Sequence, residues 1–498
     1  MQRLETLCDP GSMSLVSSQG HQAAPRRGYS TRTGAIGAWG SVNGRPVALF
    51  AQDASVAGGS LGEAESAVIV QVLALARDER VPVIGFVESA GARIHEGVRA
   101  LAGYGRIFRM NVALSRLVPQ ISVITGVSAG GGCYAPALTD FVIMTSRARM
   151  FLTGPDVVAE VTGEQVTQEE LGGTRVHGRN GVCDVLRHDD LDATAAAREL
   201  LSFLPQSAGH TPPRARTRPP SGADPGASMP SESSRIYDVR EVVSALTDAG
   251  EMLELCPRWA RNMVTGLARL DGRTVGVVAN QPRYLGGAID VAASAKASRF
   301  IETCDAFGIP LMVLVDTPGF VPGTRQEHQA IIRQGARLLR AFAAASVPKV
   351  TVILRKAYGG GCIAMNSKDL GADFVLAWPQ ATIGVLGARQ AVKIIHRREI
   401  ADAREPGRAL DLYSQLYAAQ HESPAAASRA EMIDAIVEPA ETRARLCAAL
   451  GELLCKRGSS HRAVTLPPPT ARDLTRASNG RVPFFATRSQ GTESETQQ

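Results

Sequence analysis

Arg355-Lys356-Ala357-Tyr358-Gly359-Gly360-Gly361-Cys362-Ile363-Ala364-Met365 follows a nearly unbroken β-branched and apolar run, Val350 to Leu354. The pattern reads as strand, glycine-rich turn and helix start. Three glycines open backbone conformations closed to other residues and let a ligand atom approach the main chain. A helix starting there leaves unpaired N–H groups at the positive end of its dipole. Such a corner can hold a developing oxyanion. A tight turn alone would account for one glycine triplet, but this one occurs twice.

Working outward, Gly44-Arg45 is answered by Gly272-Arg273, and Val81-Pro82 by Ile309-Pro310, each 228 positions later. Val118-Pro119 is answered by Val347-Pro348, and Gly130-Gly131-Gly132-Cys133 by Gly359-Gly360-Gly361-Cys362, each 229 positions later. A near-constant offset predicts two copies of one domain, each with a glycine corner at the same place. Two corners point to two binding half-sites, which suits transfer between two ligands.

Within the first copy, Pro46–Gln52, Val81–Val87 and Ile121–Thr125 read as strands and Leu61–Arg77 as a helix, an α/β alternation. The chain has 498 residues, enough for more than one core. The expected domains are 1–205 and 236–458. Between them, 206–235 is rich in Pro, Gly and Ser and reads as a linker. The polar tail 459–498 is expected to be disordered apart from a docked piece near Val482–Phe485. Arg26–Arg32 has the flavour of a transit peptide, but Glu5 and Asp9 upstream and the lack of an amphipathic helix argue against that.

Hydrophobic content of 44% and charged content of 20% are those of a soluble globular protein, and no apolar run is long enough for a membrane span. The formal charge is +6, carried almost entirely by arginine, which suits an anionic substrate such as a nucleotide or coenzyme A. No concentrated basic arm argues for nucleic acid. None of the eight cysteines forms a C-x-x-C pair, so no zinc ribbon or disulfide framework is indicated and a cytoplasmic location follows.

Gly126-Val127-Ser128-Ala129-Gly130 fits the G-x-S-x-G nucleophile elbow. The repeat argues against a hydrolase, because Ala357 stands where Ser128 stands while the glycines persist. Asp316-Thr317-Pro318-Gly319 imitates a GTPase switch, but the chain has no Gly-Lys dipeptide and hence no phosphate loop. His95-Glu96 lacks the second histidine of a zinc motif, and His328 reads as a solvated or packed side chain, so no metal is expected. Asp53 and Asp316 end strands, where either a functional carboxylate or a plain cap would sit. Arg93 and Arg325 follow glycine-containing turns and are candidates to meet phosphates.

Taken together, these segments resemble the carboxyltransferase (β) subunits of biotin-dependent acyl-CoA carboxylases of the propionyl-CoA/acetyl-CoA type. The likeness spans about Arg3 to Pro467. It rests on QDASVAGGSLGE (Gln52–Glu63), GARIHEG (Gly91–Gly97), GGGCYAPALTD (Gly130–Asp140), TGPDV (Thr153–Val157), VANQP (Val278–Pro282), DTPGFVPGTRQE (Asp316–Glu327) and RKAYGGG (Arg355–Gly361). Arg3-Leu4-Glu5 and Asp9-Pro10-Gly11-Ser12 are similar to the family's N-terminal region.

The resemblance implies two tandem crotonase-like ββα-spiral domains in an α/β fold. It also implies transfer of CO₂ from carboxybiotin, held on a separate carrier subunit, to the α-carbon of a short acyl-CoA. The first domain would take the acyl-CoA, with the Gly130 and Gly131 N–H groups on the thioester enolate oxygen. The second would take biotin, with Gly360 and Gly361 on the ureido oxygen. Gly132, Cys133, Cys362, Ile363 and Arg93 are the implied substrate contacts. With the ureido anion able to take the α-proton, no metal is needed. A homo-oligomer, dimer or hexamer, is implied, and the chain carries no Met-Lys-Met biotinylation site, so biotin carboxylase and carrier subunits would be separate partners.

Family members commonly have Gly-Gly-Ala-Tyr-Asp where this chain has Gly359-Gly360-Gly361-Cys362-Ile363. Ile363 occupies the position associated with acyl-chain choice, which brings acetyl-CoA in beside propionyl-CoA. The helix that usually precedes D-P-G-S is expected to be missing, and the linker is Pro/Arg-rich instead of acidic. These departures suggest a specialised paralogue, for example in secondary metabolism. The rival readings are a decarboxylase of a malonyl-type thioester and a non-catalytic scaffold, the latter disfavoured by intact glycines at both corners.

Overall fold

The computed structural model describes residues 1–16, 33–222, 224–230, 232 and 235–460, without the side chains of 456–460. Arg26–Arg32 and Val482–Phe485 lie outside the described residues.

Val83–Phe86, Ile121–Ile124, Leu311–Val315 and Val350–Leu354 are unbroken buried runs, as strands covered on both faces require. They form the middles of two eight-stranded sheets. The first contains β1 (Ser14–Leu15), β2 (Ala35–Val42), β3 (Arg45–Gln52), β4 (Val83–Ser89), β5 (Gln120–Ala129), β6 (Phe141–Thr145), β7 (Arg149–Phe151) and β8 (Val185–Arg187). The second contains β9 (Met252–Leu255), β10 (Met263–Leu270), β11 (Arg273–Asn280), β12 (Leu311–Thr317), β13 (Lys349–Tyr358), β14 (Phe374–Ala377), β15 (Thr382–Gly384) and β16 (Ala435–Ile436).

The orders run β1-β2-β3-β4-β5-β6-β8, with β7 beside β5, and β9-β10-β11-β12-β13-β14-β16, with β15 beside β13. Each sheet opens with three antiparallel strands, the second and third joined as a hairpin, and continues in parallel from the third. The hairpin turns, Asn43-Gly44 (φ 52° and 74°) and Asp271-Gly272 (φ 53° and 71°), take the left-handed conformation that Asn-Gly and Asp-Gly pairs favour. Helices Glu63–Glu79 and Val98–Leu114 cross over in the first half, and Val291–Ala306 and Ile331–Ala344 in the second. The result is the crotonase-like ββα spiral, present twice. One hydrophobic cluster runs through both halves, from Leu49 and Phe86 to Leu311 and Phe342.

One expectation changes. A helix, Gln2–Leu7, does precede Asp9-Pro10-Gly11-Ser12, with Leu4 and Leu7 fully buried. It touches β3 and helix Asp190–Phe203, and packing supplies the stability that six residues lack on their own. Segment 206–235, read as a linker, makes several hydrogen bonds to the second half. Ala215 N–H donates to the Gly272 carbonyl and Ala249 N–H to the Pro219 carbonyl, both at 2.8 Å, while Arg269 donates to the Pro213 carbonyl at 2.8 Å. Prolines bring carbonyl acceptors without N–H groups of their own to satisfy.

Candidate active site

Both corners are built the same way. β4 and β5 pair in register up to Val87, slip, and meet again at Ser89 and Ser128. β12 and β13 slip at the corresponding place and meet again at Thr317 and Ala357. A bulge of this kind re-aims the end of a strand. Each strand then turns at a glycine of positive φ, Gly130 at 57° and Gly359 at 54°. Helices Gly131–Ala137 and Gly359–Ala364 follow.

In the first corner the Gly130 N–H already donates to the Phe151 carbonyl at 3.0 Å. The Gly130 N–H, expected to donate to substrate together with that of Gly131, is therefore already engaged within the fold. Gly131 and Gly132 are the glycines in the first helical turn, where no intrahelical acceptor exists. A Cβ on Gly131 would stand 2.8 Å from the Tyr104 ring, which lies directly beneath the turn. Tyr104 sits on the buried stripe of Val98–Leu114 with Ala100, Ile107 and Leu114, so in sequence it is indistinguishable from ordinary core.

Ser128 is fully buried, and its hydroxyl donates to the Gly132 carbonyl at 2.8 Å. It braces the turn and is not poised as a nucleophile. Cys133, expected to contact substrate, points inward: its thiol lies 2.7 Å from the Ser128 carbonyl and 3.2 Å from that of Phe151. Burial pushes its pKa up to about 11, so the thiol keeps its proton and donates. Sequence spacing places Cys133 beside the glycines but does not fix the direction of its side chain.

In the second corner a Cβ on Gly361 would come within 2.7 Å of the Gly319 Cα, so two backbones touch there. Gly360 has more room, with Phe320 at 3.6 Å from such a carbon. Cys362 turns towards the core, where burial raises its pKa to about 11, whereas Ile363 is half exposed beside it.

Arg93 is not a free phosphate ligand. Its guanidinium is held by Glu65 at 2.8 Å, Glu96 at 3.1 Å and the Ser60 carbonyl at 2.8 Å. Glu65 lies 28 positions away, and only the fold brings the two together. Arg325, His95 and His328 are exposed. Asp316 is fully buried, 3.0 Å from Arg355 Nε, and accepts the Lys356 N–H at 3.1 Å. It anchors the strand end below the corner and is no nucleotide switch. Asp53 accepts from the Ser55 N–H and hydroxyl in a local turn. Among the described residues no group of three or more His, Cys, Asp or Glu side chains is arranged to hold a metal.

A doubled spiral carrying two glycine corners is a frame for moving a group between two bound ligands. The carboxyl transferase domain family matches residues 1–462, and the chain belongs to it. The propionyl-CoA carboxylase beta chain of Roseobacter denitrificans is 45% identical over 84% of this chain and 82% of its own length. The methylmalonyl-CoA decarboxylase subunit alpha of Veillonella parvula is 45% identical over 85% and 83%. The solved transcarboxylase 12S, a hexamer with methylmalonyl-coenzyme A and methylmalonic acid bound, superposes with a TM-score of 0.87 at 41% identity, covering 94% of this chain and 90% of that one.

Proposed function

We infer that the chain is the carboxyltransferase subunit of a biotin-dependent acyl-CoA carboxylase of the propionyl-CoA carboxylase β type. The observation that carries this is the pair of corners, each a strand end, a positive-φ glycine and a short helix whose first-turn N–H groups lack helical acceptors. Gly131 and Gly132 hold the thioester oxygen of the acyl-CoA as negative charge develops on it. Gly360 and Gly361, which carry no side chains of their own, offer their N–H groups to a ureido oxygen. Bound there, biotin supplies the carboxyl group. Each donor contributes about 2.7–4 kcal/mol to lowering the barrier. The chain otherwise orients the two ligands and keeps water away.

The acyl-CoA is short, acetyl or propionyl, with Ile363 bordering its α-carbon. The chain works as a homo-oligomer, a dimer at least, together with separate biotin carboxylase and biotin carrier subunits in the cytoplasm. The oligomer is supported by the transcarboxylase 12S relative, which is a hexamer. No helix among the described residues is long and apolar enough to cross a membrane.

The test is reconstitution with a biotin carboxylase, its biotinylated carrier, ATP and bicarbonate against acetyl-, propionyl- and butyryl-CoA. Carboxylated thioester from a short acyl-CoA is expected, and none from any of them would overturn the reading. The decarboxylase relative favours a second reading, the same site run towards CO₂ release. Loss of CO₂ from a malonyl-type thioester without ATP or biotin partner would support it.

A further inference from the structure

The two corners differ in one respect that the repeat does not explain. Ala129 pairs with Phe151 where β5 meets β7, and Tyr358 pairs with Gly384 where β13 meets β15. The small and large residues have changed sides. The space that Phe151 fills in the first half is entered in the second by Glu422: a Cβ on Gly384 would stand 3.3 Å from Glu422 Cγ. Glu422 ends a single π-helical turn, Ala418–Glu422, the kind of local irregularity that points a side chain where an α-helix would not.

Glu422 is 3% exposed, and its Oε2 accepts the Tyr358 hydroxyl at 3.2 Å. Its Oε1 is buried without a hydrogen bond, although the Ala388 N–H faces the carboxyl. Burial raises its pKa, offset in part by Tyr358 and Ala388. Tyr358 is the residue immediately before Gly359 and caps the second corner's helix. Its ring also lies against Gly387, and the Val385 carbonyl would be 3.0 Å from a Cβ on Gly359. The carboxyl therefore clasps the corner to the 385–388 turn from behind.

We propose that Glu422 is a positioning residue for the biotin-side corner alone, acting through the Tyr358 hydroxyl to fix the start of helix Gly359–Ala364. This rests on the functional reading above. The first half has no counterpart, because Ala129 offers no hydroxyl, so the thioester side is predicted to be indifferent to the clasp.

The experiment is carboxyl transfer from methylmalonyl-CoA to free biotin by the full-length oligomer, with the KM for each substrate measured separately. Glu422→Ala and Tyr358→Phe are expected to raise the KM for biotin or lower kcat about tenfold, the value of one lost hydrogen bond at a buried site. The KM for the thioester should stay within about twofold. Glu422→Gln, which still accepts from Tyr358, should restore most of the loss. Folding is monitored through methylmalonyl-CoA affinity, which reports on the other half. An active wild type whose Glu422→Ala variant is unchanged, or loses both substrates equally, overturns the proposal alone. A wild type that never carboxylates biotin overturns the functional reading and this proposal with it.

Discussion

The Arg198 guanidinium lies 3.0 Å from the Asp9 carboxylate while its other nitrogen donates to the Leu7 carbonyl. The second half repeats the arrangement: Arg443 lies 2.5 Å from Asp248 and donates to the Leu246 carbonyl. Asp9 also accepts the Asn43 and Gly44 N–H groups, and Asp248 those of Asp271 and Gly272. Each half thus ties its first helix, its hairpin turn and its last helix through one carboxylate.

Acid should loosen these ties. The Gly44 N–H, then Arg198, the Asn43 N–H and Ser41, hold the Asp9 pKa down at about 2, against a usual value of 3.8. Asp248 is also lowered, with Arg443 and the Gly272 N–H outweighing burial. A depressed carboxylate stabilises the fold above its unfolded pKa and loses that contribution as pH falls through the folded one. Urea midpoints should therefore drop between about pH 4 and 2. Asp9→Asn should be less stable at pH 7 and flatter across that acid range.

Asp316 and Arg355 are both almost wholly buried at 3.0 Å. Removing one partner strands the other charge at a cost of about 3–5 kcal/mol. Asp316→Ala should lower stability by that amount in urea titration, and the double variant Asp316→Leu, Arg355→Met should recover most of it.

A methyl group on Gly361 would meet the Gly319 backbone at 2.7 Å, so an alanine here, as family members commonly have, needs that turn to give way. Gly361→Pro, which deletes the N–H itself, should lower carboxyl transfer about 100- to 1000-fold, the usual effect of losing one oxyanion donor. Affinity for acyl-CoA should be little changed. Equal loss of acyl-CoA binding would count against the division of labour between the corners.

Ser128→Ala removes one hydrogen bond to the Gly132 carbonyl and no reacting group. Stability should fall by about 1 kcal/mol with transfer activity largely retained. Abolished activity in a stable variant would revive the nucleophile reading.

The repeat was legible because its markers, Asn43-Gly44 against Asp271-Gly272 and the two glycine corners, are local backbone requirements written in residue type. Strand 350–354 and its turn were legible for the same reason, although β13 continues through Arg355 to Tyr358. Side-chain direction was not. Cys133 and Arg93 looked available next to glycine turns. One donates to two backbone carbonyls and the other is gripped by Glu65 and Glu96, partners that only the fold supplies. Tyr358 and Glu422 are 64 positions apart and meet only because a π-helical turn points the carboxyl inward.

The most direct test of carboxyl transfer follows the label of carboxyl-¹⁴C methylmalonyl-CoA incubated with the protein and free biotin. Label is predicted to move to biotin, with propionyl-CoA formed in equal amount. Label released as CO₂ at the same rate with and without biotin, or left on the thioester, would contradict the account.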